Sequence, residues 1–254
     1  MSWRAGDVDD TLEAATEAVR RGETEHDWEL LARAWSVASP ADAVKGMADC
    51  VNEIGDPTRN RGPAANASHI ELAGLEFFFA NASALADFKS ALEIIPTPPE
   101  QSYARREMAW WMYRAGNLPA AADQLEQARQ EFPDFPETLL LLAWVMSDLG
   151  RQADAETSLH HPTDPKHSAE YVAAQAVIRL RTGDTQGAKL LFQQAAHDDA
   201  AWMVLRWVQN NYSASAAGVI RQLQALESAR RLKEMQERLR AAAAPAAKQT
   251  QPQE

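Results

Sequence analysis

Apolar residues recur at every third or fourth position through most of the chain, which is the spacing of one face of an α-helix. Glycine-containing and proline-containing turns interrupt this pattern at short intervals. Alanine, the strongest helix former, occurs 49 times, and β-branched residues are few. The sequence therefore predicts an all-α fold built from short helices.

A block of sequence repeats along the chain at a spacing of 34 residues and then of 33. Gly116 falls on Gly150, and five small or apolar residues coincide without a gap: Ala109, Trp110, Met112, Ala121 and Leu125 fall on Ala143, Trp144, Met146, Ala155 and Leu159. Four such blocks cover 66–98, 102–135, 136–168 and 169–202, the first of them a worn copy. Each block predicts two antiparallel helices joined by a turn.

The turn of the block 102–135 has the residues that end one helix and begin another. Gly116 suits the left-handed position after a helix, Asn117 can cap the following helix, and Pro119 lies in its first turn. Small residues at the facing positions allow the two helices to approach closely. We therefore expect a tight helical hairpin in this block.

This pattern of period, glycine turn and small residues resembles the tetratricopeptide repeat. The resemblance covers about 66–202 and implies a right-handed α-solenoid of stacked helix pairs. The Trp and Tyr typical of the repeat's first helix are replaced here. In the third block Pro162 takes the place of Ala128, which predicts that this second helix ends early.

The regions on either side of the blocks also predict helices. Residues 1–58 contain three helical segments, of which the second has the spacing of a degenerate repeat. Residues 59–65 are rich in Gly, Pro and Asn and predict a linker, either a plain connection or an ordered functional loop. Residues 203–244 predict C-terminal capping helices, because a solenoid must cover its open end. The tail 245–254 is expected to be disordered.

The long C-terminal helix carries two apolar registers that do not align with each other. The first is Val219, Leu223 and Leu226, and the second is Leu232, Met235 and Leu239. Because the two registers do not align, the sequence does not predict a sustained coiled-coil interface. A capping role is favoured, and dimerisation through this helix is the alternative.

Charge and composition exclude several classes of partner. The formal net charge is −11, and only the C-terminal part is basic, so the sequence predicts no nucleic-acid partner. The longest apolar run, 138–146, is too short to span a bilayer, and no signal peptide is apparent. Cys50, the only cysteine, excludes an intrachain disulfide and fits a reducing compartment. We therefore expect a cytoplasmic protein without membrane insertion.

Catalytic motifs are scarce. The sequence has no phosphate-binding glycine loop, nucleophile elbow or zinc-protease motif. His160, His161 and His167 cluster on a proline-rich segment, but their spacing is weak evidence for a metal. We therefore predict a chain that is not an enzyme and has no cofactor and no metal site. An unrecognised helical active site that uses carboxylates is a less favoured alternative.

The resemblance implies that the first helices of successive hairpins line a concave groove for a partner segment. The residues carried onto that wall are Tyr103, Arg106, Trp110, Tyr113, Arg114, Leu140, Trp144, Asp148, Val177 and Arg181. Trp110 and Trp144 would anchor a partner that is apolar or aromatic with some acidic character. The alternative is that both tryptophans fill space between repeats.

The favoured function is therefore a non-enzymatic protein-interaction module, such as an adaptor, assembly factor or chaperone, that holds a peptide segment of another protein. The alternative is a permanent structural subunit of a multiprotein assembly. That alternative requires an apolar face larger than one groove.

Overall fold

The computed structural model describes residues 5–21, 25–54, 63–133, 135–159, 168–195 and 217–248, and these ranges contain helices and no strand. The all-α prediction is confirmed. The helices are α1 Ala5–Arg21, α2 Glu25–Trp35, α3 Pro40–Ile54, α4 Pro63–Phe78, α5 Ala84–Glu93, α6 Pro98–Arg114, α7 Leu118–Glu131, α8 Pro136–Asp148, α9 Gln152–Ser158, α10 Ser168–Arg181, α11 Thr185–Ala195 and α12 Ala217–Lys248.

The chain divides into two compact units. The first unit spans 2–158 and contains α1 to α9, and the second spans 159–254 and contains α10 to α12. In the first unit, α4 packs against α2, α5 and α6, and α6 packs against α7 and α8. Three first helices of successive hairpins, α4, α6 and α8, therefore lie side by side, and their facing residues form much of the core.

Alanine and large apolar residues share the core of the first unit as the repeat pattern predicts. Ala109, Ala121 and Ala143 are fully buried at the positions where helices approach closely. Trp111 and Leu142 are also fully buried and fill the larger spaces. Burial of this apolar surface supplies the main stabilising free energy of the hairpins.

Three glycine turns adopt the predicted left-handed conformation. The φ angles are +79° at Gly116, +75° at Gly150 and +90° at Gly183. After the first of these turns, the side chain of Asn117 accepts a hydrogen bond from the backbone N–H of Ala120 at 3.3 Å, as the cap prediction requires. Each of these hairpins is therefore closed by local residues that the sequence identifies.

The helix α9 ends early, as predicted. It has seven residues and stops at Ser158, four positions before Pro162. Its partner α8 has 13 residues, of which ten are buried. The hairpin of α8 and α9 is therefore asymmetric, with most of its apolar surface on α8.

Two predicted boundaries are wrong. The linker 59–65 is shorter at its C-terminal end, because α4 begins at Pro63. Proline at the first helical position removes an N–H that has no partner inside the helix. The tail also begins later than predicted, because α12 continues past Pro245 to Lys248. The alanines on both sides of Pro245 have the highest helix propensity, which offsets part of the cost of a proline inside the helix. The remaining linker and tail residues, and the part of the predicted capping helices at 203–216, lie outside the described residues.

The second unit is built on the hairpin of α10 and α11. The face of α10 that contains Ala173, Ala176 and Val177 is fully buried. Arg179 pairs with Asp184 across the turn, with Nη1 and Oδ2 2.8 Å apart. The helix α12 contacts both α10 and α11. Its capping role remains a prediction.

Candidate partner-binding surface

The ten residues predicted for the groove wall fall on three first helices. Five lie on α6, three on α8, and Val177 and Arg181 on α10. The first two helices belong to the first unit and α10 belongs to the second. On α6, the residues 103, 106, 110 and 114 share one helical face, because their spacings of three and four follow the helical repeat. The α6 face is therefore the part of the predicted wall that the structure brings together.

The two tryptophans are not exposed anchors, and this part of the prediction is wrong. Trp110 is 4% exposed and Trp144 is fully buried. The indole nitrogen of Trp144 donates to the hydroxyl of Tyr113 at 3.1 Å. Covering an indole ring removes a large apolar surface from water, so neighbouring side chains close over it. The tryptophans therefore take the alternative role of filling space inside the repeat stack.

Leu140 and Val177 are also buried, with exposed fractions of 2% and 0%. They serve the cores of the first and second units respectively, so their predicted contact with a partner is wrong for the same reason. Tyr103, Tyr113 and Arg181 are half-buried, and Arg114 and Asp148 are exposed. These five remain predicted contacts.

Arginines stack on aromatic rings along the α6 face. We call this set the arginine–aromatic cluster: Arg33, Phe78, Tyr103, Arg106, Trp110, Arg114 and Phe135. The guanidinium carbons of Arg33 and Arg114 lie 4.3 and 4.9 Å from the ring centroid of Trp110. Arg114 also lies 5.3 Å from the ring of Phe78. A cation over a ring face is attracted by the ring quadrupole, so each contact holds an arginine side chain against an aromatic ring.

The positive charge of Arg106 is paired with Glu107 of the same helix. Its predicted role as a partner contact is therefore wrong. Its Nε and Nη2 donate to Glu107 Oε1 at 2.9 and 2.7 Å. Burial opposes its charge, but the carboxylate of Glu107 and the hydrogen bonds to it hold the pKa of Arg106 above its ordinary value. Its guanidinium also lies 4.7 Å from the ring of Tyr103 and 4.9 Å from that of Phe135. Arg106 therefore has a structural role, because it connects the rings of Tyr103 and Phe135 within the cluster.

Arg114 has a different environment. The residue is exposed, although two rings cover part of its guanidinium. No carboxylate pairs with Arg114 in the part of the chain that the structure describes. Burial and the nearby charge of Arg33 lower its pKa. An anion placed beside this guanidinium would relieve both unfavourable effects.

Beneath the cluster lies a buried acid that sequence reasoning missed. Glu71 on α4 is 1% exposed, and its Oε2 accepts a hydrogen bond from Nε1 of Trp111 at 3.0 Å. Burial, together with the charge of Glu107, raises the pKa of Glu71 to about 8. Its Oε1 has no hydrogen-bond partner among the described residues. Burial and the charge of Glu107 therefore favour the neutral form of Glu71, and this environment arises from helices that are distant in sequence.

Trp111 reaches Glu71 because the facing residue on α4 is glycine. A Cβ atom at Gly74 would overlap the indole ring of Trp111. The ring also contacts Phe78, with centroids 5.8 Å apart, and Trp110, with centroids 4.8 Å apart. The close approach of α4 and α6 at Gly74 therefore helps to position the rings of Trp110 and Phe78, on which the arginines stack.

A small cavity lies between the first turns of α4 and α6. Its volume is about 180 Å³, and its lining includes Asn66, Ile70, Ile95 and Tyr103. The same Tyr103 ring contacts Arg106, so the cavity is next to the arginine–aromatic cluster. Mostly apolar atoms line it, and its volume suits one small apolar side chain.

The other chemical candidates from the sequence carry no site in the described residues. Those residues contain no group of His, Cys, Asp and Glu arranged to hold a metal ion. The cluster of His160, His161 and His167 lies outside them. Cys50 is half-buried, and burial together with Glu53 raises the pKa of its thiol. A search of the described helices finds none long and apolar enough to span a membrane.

Comparison with known proteins identifies the repeats. The sequence pattern that defines the tetratricopeptide repeat family matches residues 112–178, about a quarter of the chain. This segment runs from the end of α6 to α10 and includes the glycine turns at Gly116 and Gly150. A search of curated proteins finds no significant match. The resemblance to tetratricopeptide repeats is therefore confirmed for residues 112–178.

Proposed function

We propose that this chain is a non-enzymatic interaction module that binds a short acidic segment of another protein along the α6 face. Tetratricopeptide repeats generally mediate protein–protein interactions, and this family is typically non-catalytic. The proposed contacts are Tyr103, Tyr113 and Arg114. The buried tryptophans hold these residues in place without contacting the partner.

The observation that carries this proposal is the environment of Arg114. Its exposed guanidinium rests on the rings of Trp110 and Phe78 without a carboxylate partner among the described residues. Arginine binds carboxylates through two parallel hydrogen bonds, and stacking pre-orients its planar group for that geometry. An aspartate or glutamate of the partner therefore supplies the missing charge.

The geometry of α6 sets the length and character of the segment. Tyr103 and Arg114 are separated by eleven residues, which is about 16 Å along a helix and about five residues of extended chain. The cavity beside Tyr103 accepts a small apolar side chain at one end. Arg114 accepts an acidic side chain at the other. A segment with these two features about five residues apart fits the surface best.

The alternative of a permanent structural subunit has less support. It requires a large exposed apolar face, whereas Trp110 and Trp144 are buried. The described residues of the first unit include exposed large apolar side chains, which are spread over several helices and connections. They are Leu30, Val37, Leu85, Ile94 and Phe132. A module that binds a short segment therefore explains the surface better.

The direct test measures binding of labelled synthetic peptides to the full-length chain by fluorescence polarisation. The peptides carry Val or Leu at one end and Asp or Glu about five residues away, in both orientations. The comparison set carries lysine in place of the acid. We expect the acidic peptides to bind, and Arg114→Gln to weaken that binding about tenfold, because a charge-assisted hydrogen bond is lost.

Lys89→Gln is the matched control, because Lys89 is exposed on α5 and its replacement removes the same charge. Its affinity should equal that of the wild type. Equal binding of the acidic and lysine peptides, or full affinity in Arg114→Gln, would contradict the proposed site.

A further inference from the structure

The long helix α12 has an exposed apolar stripe. Leu232, Met235 and Leu239 are 51%, 53% and 65% exposed. Their spacings of three and four place them on one helical face over about two turns. They form the second of the two apolar registers of this helix, which we call the α12 stripe. Three large apolar side chains exposed together on one face indicate a contact surface.

Basic charge borders the α12 stripe. At 100° per residue, Arg231 and Arg238 lie beside it along one flank. No carboxylate pairs with Arg238 in the described part of the chain. Lys233 and Glu237 pair with each other at 3.9 Å, away from the centre of the stripe. The helix has seven basic and three acidic side chains, a net charge of +4, whereas the other residues together carry −15.

We propose that the α12 stripe docks an amphipathic helix of another protein that has an apolar face and acidic residues along one flank. Apolar side chains at this spacing interdigitate with those of a second helix packed alongside. Glutamates or aspartates of that helix would pair with Arg238 at the edge of the contact. This surface lies in the second unit, so the inference is independent of the function proposed for α6.

Charge disfavours a second copy of the same helix as the occupant. In an antiparallel pair, Arg231 of one copy lies beside Arg238 of the other, and these like charges repel. In a parallel pair, the heptad position opposite Arg238 in the second copy holds an alanine, so Arg238 gains no acidic partner. The stripe therefore matches a different helix better than itself.

The apolar pattern of α12 disfavours an anionic membrane surface. A helix that lies in a membrane surface buries one continuous apolar face, whereas the two apolar registers of α12 do not align. A single helix of another protein meets only the two turns that carry the α12 stripe. The basic flank attracts an acidic helix there although most of the chain is acidic, because salt screens charges more than about 10 Å away.

The experiment titrates the full-length chain into a labelled synthetic helical peptide with leucines at the a and d heptad positions and glutamates beside them. A second peptide has lysines in place of the glutamates. The test variant is Leu232→Gln, Met235→Gln, Leu239→Gln, since glutamine preserves helix propensity. We expect saturable binding of the glutamate peptide, and at least about tenfold weaker binding by the triple variant or to the lysine peptide.

Arg238→Glu should weaken binding of the glutamate peptide several-fold, and the difference should shrink at high salt. Lys189→Glu is the control of equal charge change, because Lys189 is exposed on α11 and off the stripe. It should bind as the wild type does, and circular dichroism should show equal helicity in all variants.

Three results would overturn the proposal. One is the absence of saturable binding of the glutamate peptide at millimolar concentration. The second is a self-association in sedimentation that the triple glutamine variant abolishes, which would make a second copy the occupant. The third is flotation with phosphatidylglycerol vesicles that depends on the α12 stripe, which would make a membrane the occupant.

Discussion

At the scale of single residues, the environment of an ionisable group depends on which helices pack around it. Glu71 and Arg114 lie on helices whose sequences alone do not indicate an unusual environment for either group. One is a buried acid beneath Trp111, and the other is an exposed cation on Trp110. Burial raises the pKa of the first and lowers that of the second. These shifts have opposite signs because desolvation favours the neutral form of each group.

The raised pKa of Glu71 predicts how stability depends on pH. In the unfolded chain this carboxyl titrates near 4.5, and in the folded chain at about 8. The folded state therefore binds more protons between these values, so the free energy of unfolding falls as pH rises from about 5 to 8. Glu71 alone contributes at most about 1.4 kcal/mol per pH unit to this slope.

We expect Glu71→Gln to flatten this slope and to raise relative stability above pH 8, because glutamine stays neutral and its carbonyl can accept the Trp111 hydrogen bond. Urea unfolding at several pH values measures this effect. Glu93→Gln is the control, because Glu93 is exposed on α5, and it should keep the wild-type slope. An unchanged slope in Glu71→Gln would show that Glu71 is ionised in the folded protein.

At the scale of elements, local residues close the hairpins. Gly116, Gly150 and Gly183 follow three first helices with positive φ, and an equivalent turn follows α4. There the left-handed residue is Ala80, with φ +59°, and Asn81 N–H donates to the carbonyl of Glu76 at 2.8 Å. This turn has the hydrogen bonds of the glycine turns without the glycine. The worn repeat thus keeps the hairpin at some cost in backbone strain.

This difference predicts opposite effects of two exchanges. Gly116→Ala should lower the free energy of unfolding by about 1 kcal/mol, because an L-residue is strained at positive φ. Ala80→Gly should raise it or leave it unchanged, since relief of strain offsets the greater freedom of glycine in the unfolded chain. Both positions are exposed, so packing should not interfere. Thermal and urea unfolding measure both, and equal losses in the two variants would contradict the assignment of strain to Ala80.

At the scale of the whole molecule, the described helices form two compact units. The core of the first unit centres on α4, α6 and α8, and that of the second on α10 and α11. In repeat proteins each hairpin gains most of its stability from its nearest neighbours. Local unfolding should therefore differ between the units.

Hydrogen exchange of the full-length chain tests this expectation. Gly183→Ala strains the turn between α10 and α11 and should reduce their amide protection by about 1 kcal/mol. Protection of α6 and α7 should change by less than about 0.5 kcal/mol, the range within which distant sites act independently. A uniform loss across both units would instead indicate that the whole chain unfolds as one cooperative body.

The sequence by itself determined the all-α class, the hairpins and their turns. These depend on local signals that act within a few residues, such as the helical period, Gly116 after α6 and the Asn117 cap. Only the tertiary structure decided which groove residues are exposed and which groups are charged. Trp110 has the spacing of a groove residue, yet Arg33 on α2 and Arg114 cover it. Burial and ionisation depend on neighbours that are distant in sequence, so the repeat pattern alone does not predict them.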